Sequence, residues 1–275
     1  MTDFQAIILG LIQGFAEFLP VSSSGHLVLA QQLFGLNGDL MTFDIFMHFG
    51  TLLAVLVVFY RSILSIILGC LAGMKSLFLE RLSPSYIYQN SADVRMAIAL
   101  FIGTVPAGIV GIAFKNQIEA LFSTTIPVLA ALFVTGTVLM ITFLVKKGER
   151  HIGFWSGIVV GIAQAIAIIP GISRSGSTIS TALFLKVDRQ EAGEFSFLLS
   201  IPAVGGATVL ALRDFTSTAI QIPLHTIILG AAASFISGLI SLVLLMSIVR
   251  KGKIGYFGLY CLGVVVAGAI YLHMT

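Results

Sequence analysis

The sequence predicts an all-α integral membrane protein, an inverted-topology repeat with about six transmembrane helices and two re-entrant helical hairpins. Three observations predict it. Of 275 residues, 57% are hydrophobic and only 10% charged, against roughly 25% charged in a soluble domain, and the mean hydropathy is +1.05. A polar phrase at residues 13–26 returns at residues 164–177. The basic residues gather on one side of the predicted spans.

Residues 4–19 read as a helix in which Gly10, Gln13, Gly14 and Glu17 share one face at i, i+3, i+4, i+7 spacing. That stripe is small or polar and the rest of the helix is apolar. Pro20 interrupts it, and Ser22 or Ser23 is suited to cap a second helix through Leu27–Leu33. Each arm is shorter than the ~20 residues a spanning helix needs, so the pair reads as a re-entrant hairpin buried in protein or lining a cavity.

Spans are expected at 43–60, 95–114 and 125–145, a second hairpin at 154–186 with its tip at Pro170–Gly176, and further spans at 193–212, 224–249 and 255–273. The stretch 61–93, with Lys75, Glu80, Arg81, Pro84 and Asp93, reads as a long hydrophilic loop. The chain forms a single membrane domain over 1–275, with one repeat at about 1–150 and the other at about 151–275. At a shift of 151, Gly10, Gln13, Ala16, Ser22, Ser24 and Gly25 fall on Gly161, Gln164, Ala167, Ser173, Ser175 and Gly176, and Phe46 falls on Phe197. The differences carry chemistry: Glu17 becomes Ile168, Ser23 becomes Arg174 and His26 becomes Ser177.

Three spans separate the hairpins, which makes the repeats inverted. Arg61, Lys75, Arg81, Arg95, Lys146, Lys147, Arg150, Lys186, Arg189, Arg250, Lys251 and Lys253 fall on one side, and Lys115 and Arg213 on the other. By the positive-inside rule the first side is cytoplasmic. Both termini then lie outside, and the hairpin tips meet near mid-membrane. The start, Met1-Thr-Asp3-Phe, lacks the basic region of a cleavable signal, so the first helix is expected to stay in the fold. No polybasic or polyanionic tail points to nucleic acid. Cys70 and Cys261 sit in apolar runs without metal-ligand spacing and read as small buried hydrophobes.

Ionisable groups at membrane depth are costly and mark functional sites. Each hairpin tip starts a helix, whose free N–H groups and dipole favour an anion. Arg174 adds a planar fork that fits phosphate oxygens, and Ser22, Ser24, Ser173, Ser175 and Thr178 add hydroxyl donors. The same hydroxyls serve equally as caps or packing groups. Ser23 and His26 lie three apart on one helix face, with Glu17 on the arm above: a nucleophile beside a base. Alternatively, Glu17 and Gln13 hold a divalent cation, Mg²⁺ or Ca²⁺, through oxygen atoms. His48 and Asp44, at the start of a span, read as interfacial.

Through these residues the chain closely resembles the bacterial undecaprenyl pyrophosphate phosphatases, the bacitracin-resistance family. The resemblance rests on (Glu/Gln)-x-x-x-Glu followed by Phe-Leu-Pro-Val-Ser-Ser-x-Gly-His, here Gln13 to His26, and on Pro-Gly-x-Ser-Arg-Ser-Gly-x-Thr, here Pro170 to Thr178. It extends through Gly103-Thr-Val-Pro106-Ala-Gly, and Gln13 stands where some members carry a second Glu. It implies hydrolysis of undecaprenyl pyrophosphate to undecaprenyl phosphate and inorganic phosphate, which recycles the lipid carrier of cell-wall synthesis. Glu17, Ser23, His26 and Arg174 would be the catalytic set: Ser23 as nucleophile, His26 as acid/base or phosphate ligand, Glu17 as base or metal ligand, Arg174 as transition-state clamp. Divalent-cation dependence goes with the family, and whether Ser23 or a bound water attacks stays open. The resemblance also implies a bacterial plasma (inner) membrane, membrane lipid as partner and room for a homodimer, while the first hairpin, entering from outside, leaves an active site open to the outer face. The rival reading is a polyprenyl-phosphate flippase or secondary transporter, since facing hairpins in inverted repeats are also transporter architecture.

Overall fold

The computed structural model describes residues 1–36, 40–114, 117, 125–214 and 222–274. Among these residues the regular structure is helical. The first hairpin is α1 (Asp3–Phe18) and α2 (Ser23–Leu33). It is followed by α3 (Met41–Val58), α4 (Tyr60–Phe78), α5 (Pro84–Asn90), α6 (Ala92–Ala113) and α7 (Thr125–Ile141). The second hairpin is α8 (Phe154–Ile166) and α9 (Arg174–Phe184), and α10 (Arg189–Asp214), α11 (Leu224–Arg250) and α12 (Tyr256–Met274) complete the chain.

Local chemistry starts α1. The Thr2 hydroxyl accepts from the backbone N–H of Gln5 while the Gln5 side chain accepts from that of Thr2, a capping box. Asp3, in the first turn, accepts from the Thr226 hydroxyl at 2.6 Å and so fastens α1 to the start of α11. From there α1 runs along α11 with its glycine stripe inward. A Cβ on Gly10 would lie 2.2 Å from the carbonyl oxygen of Gly230, and one on Gly14 would lie 2.0 Å from Ser237 Oγ. Only glycine permits so close an approach, and small residues are what let membrane helices pack. Hydroxyls of α11 secure the seam: Ser234 donates to the carbonyl of Met47 at 2.8 Å and Ser241 to that of Phe15 at 3.0 Å.

The second hairpin has an equivalent seam. Its arm α8 lies along α6, where a Cβ on Gly161 would stand 2.6 Å from the carbonyl oxygen of Gly103. A third close pair joins α7 to α12. Between the hairpins the apolar core centres on Phe18, Phe59 and Phe197, with the Phe197 ring 5.8 Å from each of the other two. Cys261 is buried, as expected, and Cys70 is half-buried on α4.

Two expectations change. Residues 61–93 are not a loop: α4 and α5 occupy most of it. Arg61 and Lys75 bracket thirteen residues without a charge, and a polarity averaged over the whole stretch hides that apolar run. Four helices among the described residues are long and apolar enough to cross a membrane: Tyr60–Phe78, Ala92–Ala113, Ile126–Leu144 and Leu224–Arg250. The expected spans at 43–60 and 255–273 correspond to shorter apolar helices, Phe43–Val58 and Tyr256–Ile270. Lys115 and Thr275 lie outside the described residues.

The seam gives a stability prediction. Gly14→Val forces α1 from α11 and is expected to destabilise the protein by about 1–3 kcal/mol, the usual range for overpacking. Gly108→Ala, where an added Cβ meets nothing within 4 Å, serves as the neutral control. Thermal unfolding of both variants in one detergent checks the difference.

Candidate active site

The two hairpin tips meet. An added Cβ on Gly176, in the first turn of α9, would stand 3.3 Å from Pro20 Cβ at the tip of the first hairpin. The second tip is built by ordinary rules. Gly171 turns the chain at φ +95°, and a Cβ there would lie 2.3 Å from the carbonyl oxygen of Val128. Ser173 then caps α9, its hydroxyl accepting from the N–H of Gly176 at 3.1 Å. Thr135 of α7 supports the tip, donating to the carbonyl of Gly171 and accepting from the N–H of Ser173, both at 3.0 Å.

The first tip is different. Ser22 occupies the cap position of α2 at φ 69°, a left-handed backbone uncommon for a residue with a side chain, and its hydroxyl makes no capping bond. It approaches Ser24 Oγ at 3.4 Å instead. Its carbonyl oxygen accepts from His26 Nδ1 at 2.9 Å. Strain of this kind persists where surrounding structure enforces it, often at functional sites.

Glu17 is the hub. Its Oε1 lies 2.5 Å from Arg174 Nη2, an ion pair that joins α1 to α9 across the tips. Its Oε2 accepts from Ser23 Oγ at 2.8 Å and from Gln13 Nε2 at 3.1 Å. Both charged side chains are well buried. The other half of the guanidinium is not committed: Arg174 Nη1 is buried without a hydrogen-bond partner, and so is Gln13 Oε1. A buried donor on a fixed cation, left unpaired, is costly unless a ligand completes it. The structure thus brings together Gln13, Glu17, Ser23 and Arg174.

His26 joins them only through the backbone. Because a carbonyl only accepts, His26 Nδ1 donates to Ser22, leaving Nε2 as the acceptor for the Tyr260 hydroxyl at 2.8 Å. The His26 and Tyr260 rings stack, with centroids 5.7 Å apart. Beside them a cavity of about 650 Å³ opens between α1 and α12, lined by Ile8, Ile12, Phe15, His26, Phe257 and Tyr260 among others. Three of the remaining hydroxyls are engaged within the protein. Ser173 caps α9 and lies 3.3 Å from Ser175 Oγ. Thr178 donates to the carbonyl of Arg174 at 2.9 Å and lies 2.5 Å from Ser196 Oγ.

Two residues enter that the residue types alone did not single out. Tyr260 has no local signal. His48, expected at the interface, stands with its Nδ1 2.9 Å from Gln13 Nε2 and 3.6 Å from Glu17 Oε2. The shift of 151 contained the clue, since His48 falls on Leu199 as Glu17 falls on Ile168. Asp44 accepts from Gln31 at 3.0 Å. For a cation, Gln13 Oε1 is a free buried oxygen beside the Glu17 carboxylate. No group of three or more His, Cys, Asp or Glu suited to a metal ion occurs among the described residues.

A family model described as bacitracin resistance protein BacA matches residues 6–267. The chain is 40% identical over 273 residues to the undecaprenyl-diphosphatase of Desulforapulum autotrophicum, covering 95% of each chain. It is 42% identical over 264 residues to that of Desulfatibacillum aliphaticivorans, covering 94% of each. With the undecaprenyl-diphosphatase of Methanobrevibacter smithii it shares 37% identity over 280 residues and the full length of both.

The buried ion pair predicts a cycle of stabilities. Arg174→Gln leaves Glu17 charged and uncompensated, a loss of about 3–5 kcal/mol. Adding Glu17→Gln to that variant is expected to restore most of the loss. Chemical or thermal unfolding of the two single variants and the double variant measures this coupling.

Proposed function

The chain belongs to the bacitracin resistance protein BacA family, and from that premise we propose that it is an undecaprenyl-diphosphatase, a multi-pass membrane hydrolase that converts undecaprenyl diphosphate to undecaprenyl phosphate and inorganic phosphate. The observation that carries this reading is the unpaired, buried Nη1 of Arg174 beside the Ser23–Glu17 hydrogen bond. A cation with an open donor next to an activated hydroxyl suits attack on a phosphoryl group.

The chemistry follows from the bonds. Ser23 Oγ already points its hydrogen at Glu17 Oε2, so Glu17 takes that proton as Ser23 attacks the terminal phosphorus. The bond from that phosphorus to the bridging oxygen breaks, and undecaprenyl phosphate leaves with the oxygen. Arg174 divides its fork, Nη2 holding Glu17 and Nη1 meeting the phosphoryl oxygens whose charge grows in the transition state. Water then splits the phosphoserine, releasing inorganic phosphate and returning the proton to Ser23. His26, held by Ser22 and Tyr260, stands at the mouth of the apolar cavity as the acid/base or phosphate ligand for the departing lipid phosphate. Ser22 and Ser24, paired with each other at the first tip, meet the head group. Ser173, Ser175 and Thr178 hold the second tip in shape beneath it. A divalent cation, Mg²⁺ or Ca²⁺, would be held by Gln13 Oε1 and Glu17 and would supply charge neutralisation for the diphosphate.

We further propose the inverted repeat, with both termini outside, the basic loops in the bacterial cytoplasm and the site open to the outer face. Support comes from twelve basic residues on one side against two on the other. With that count, Arg61 and Lys75 share a side, so α4 lies along the cytoplasmic surface. Ser62, Ser65, Gly69 and Ser76 line one stripe of α4, turned to α6 where Ser65 donates to Asp93 at 3.0 Å, and Ile67, Leu71, Met74 and Phe78 lie opposite.

Phosphate release from purified protein given undecaprenyl diphosphate tests the function, and transport without release would favour a flippase. Ser23→Ala is expected to abolish turnover, while Ser22→Ala and Ser24→Ala retain a measurable part of it. Equal losses in all three would point to an attacking water. Arg174→Lys keeps the charge without the fork and is expected to lose about 10²–10³ in kcat.

Topology has its own measurement. In a background with Cys70 and Cys261 replaced by alanine, His273→Cys is expected to react with an impermeant thiol reagent in spheroplasts. Glu149→Cys and Glu80→Cys are expected to stay unlabelled. Labelling at Glu80→Cys would show that α4 crosses the membrane.

A further inference from the structure

His48 sits on α3, a helix fixed to α11 through the bond from Ser234 to the Met47 carbonyl. Its Nδ1 lies 2.9 Å from Gln13 Nε2. Gln13 is fully buried, and the same amide nitrogen lies 3.1 Å from Glu17 Oε2. An amide nitrogen only donates, and it has two hydrogens. One goes to the carboxylate and the other to the imidazole, so His48 Nδ1 is an acceptor and carries no hydrogen. The reverse placement of the amide is excluded by chemistry, because it would set Gln13 Oε1 against an acceptor-only carboxylate. The chain of bonds runs from His48 on α3 to Gln13 and Glu17 on α1 and ends at Ser23 on α2.

We infer that His48 is a positioning residue for the reaction, acting on the Glu17 carboxylate through the Gln13 amide; this rests on the hydrolase reading above. Glu17 Oε2 must face Ser23 to take its proton. Arg174 anchors only the opposite oxygen, and Ser23 itself leaves the bond as it attacks. Among the described residues, the Gln13 amide is the one donor to Oε2 that stays in place throughout. Held from one side alone, it rotates about its last side-chain bond. Held by His48 as well, it keeps its hydrogen on Oε2 and its free oxygen turned toward the site. A direct ion pair between His48 and Glu17, at 3.6 Å, is the competing account, and it needs a charge on His48 in place of an acceptor.

The test separates the two accounts with undecaprenyl diphosphate and purified protein. His48→Ala is expected to lower kcat by about 10–100-fold with KM little changed, the usual cost of losing an outer-shell orienting partner. His48→Asn places an amide oxygen where Nδ1 stood and is expected to restore most of the activity. His48→Lys keeps a cation but supplies no acceptor, and is expected to be as slow as the alanine variant. In a Gln13→Ala background the further change His48→Ala is expected to cost about twofold or less, because residues that act in series do not add. Active His48→Lys with inactive His48→Asn would overturn the inference in favour of the ion pair. A full additive loss in the double variant, or a His48→Ala protein as fast as wild type, would also overturn it. Wild-type protein that releases no phosphate would remove the hydrolase reading and this inference with it. Unfolding midpoints within a few degrees of wild type show that the variants are folded.

Discussion

Glu17 and Arg174 come from opposite halves of the sequence and from opposite hairpins, and their ion pair is the constraint that the surrounding structure serves. Taking two such charges out of water costs several kcal/mol per ion, and their attraction offsets this only with good geometry and further hydrogen bonds. Glu17 has those bonds from Ser23 and Gln13. Arg174 gives Nη2 to Glu17, and its Nη1 is left over. The pair therefore holds the tips together and leaves Arg174 Nη1 buried beside them without a partner.

Such a pair must be placed accurately, and the helix seams provide the accuracy. Hydrophobic burial cannot press helices together in lipid, so close van der Waals packing and interhelical hydrogen bonds have to do it. Gly10 and Gly14 bring α1 against α11, and Gly157 and Gly161 bring α8 against α6. Ser234 and Ser241 on α11 spend their hydroxyls on backbone carbonyls of α3 and α1. Each hairpin is thus clamped along the arm that leads to its tip, and neither tip depends on its own loop for position.

The two hairpins have divided the work. Glu17 against Ile168, Ser23 against Arg174, His26 against Ser177 and His48 against Leu199 put the carboxylate, the hydroxyl and both imidazoles in the first half and the guanidinium in the second. The backbone follows the same division. Ser173 caps its helix in an ordinary extended conformation, whereas Ser22 is held in the left-handed region with its carbonyl turned to His26. The relaxed tip presents Arg174, and the strained tip presents Ser23 and His26.

The membrane class, the two helical hairpins and the buried charges Glu17 and Arg174 were legible in the sequence, because each depends on something local. Apolar content sets the solvent, Pro20 and Gly171 break helices where they stand, and an ionisable group in an apolar run is conspicuous without knowledge of its neighbours. The α4 helix was hidden when its apolar run was averaged with the polar residues around it. Tyr260 and His48 were hidden for a different reason. Helical periodicity says which residues share a face but not which helix that face meets, so nothing near position 48 announced Gln13 and nothing near 260 announced His26. Residue types determined that this chain has a buried acid, a hydroxyl and a guanidinium to work with. Only the packing of α3 against α11, and of α12 beside α1, decided which groups orient them, because hydrogen bonds between distant helices are fixed by geometry that no stretch of sequence contains.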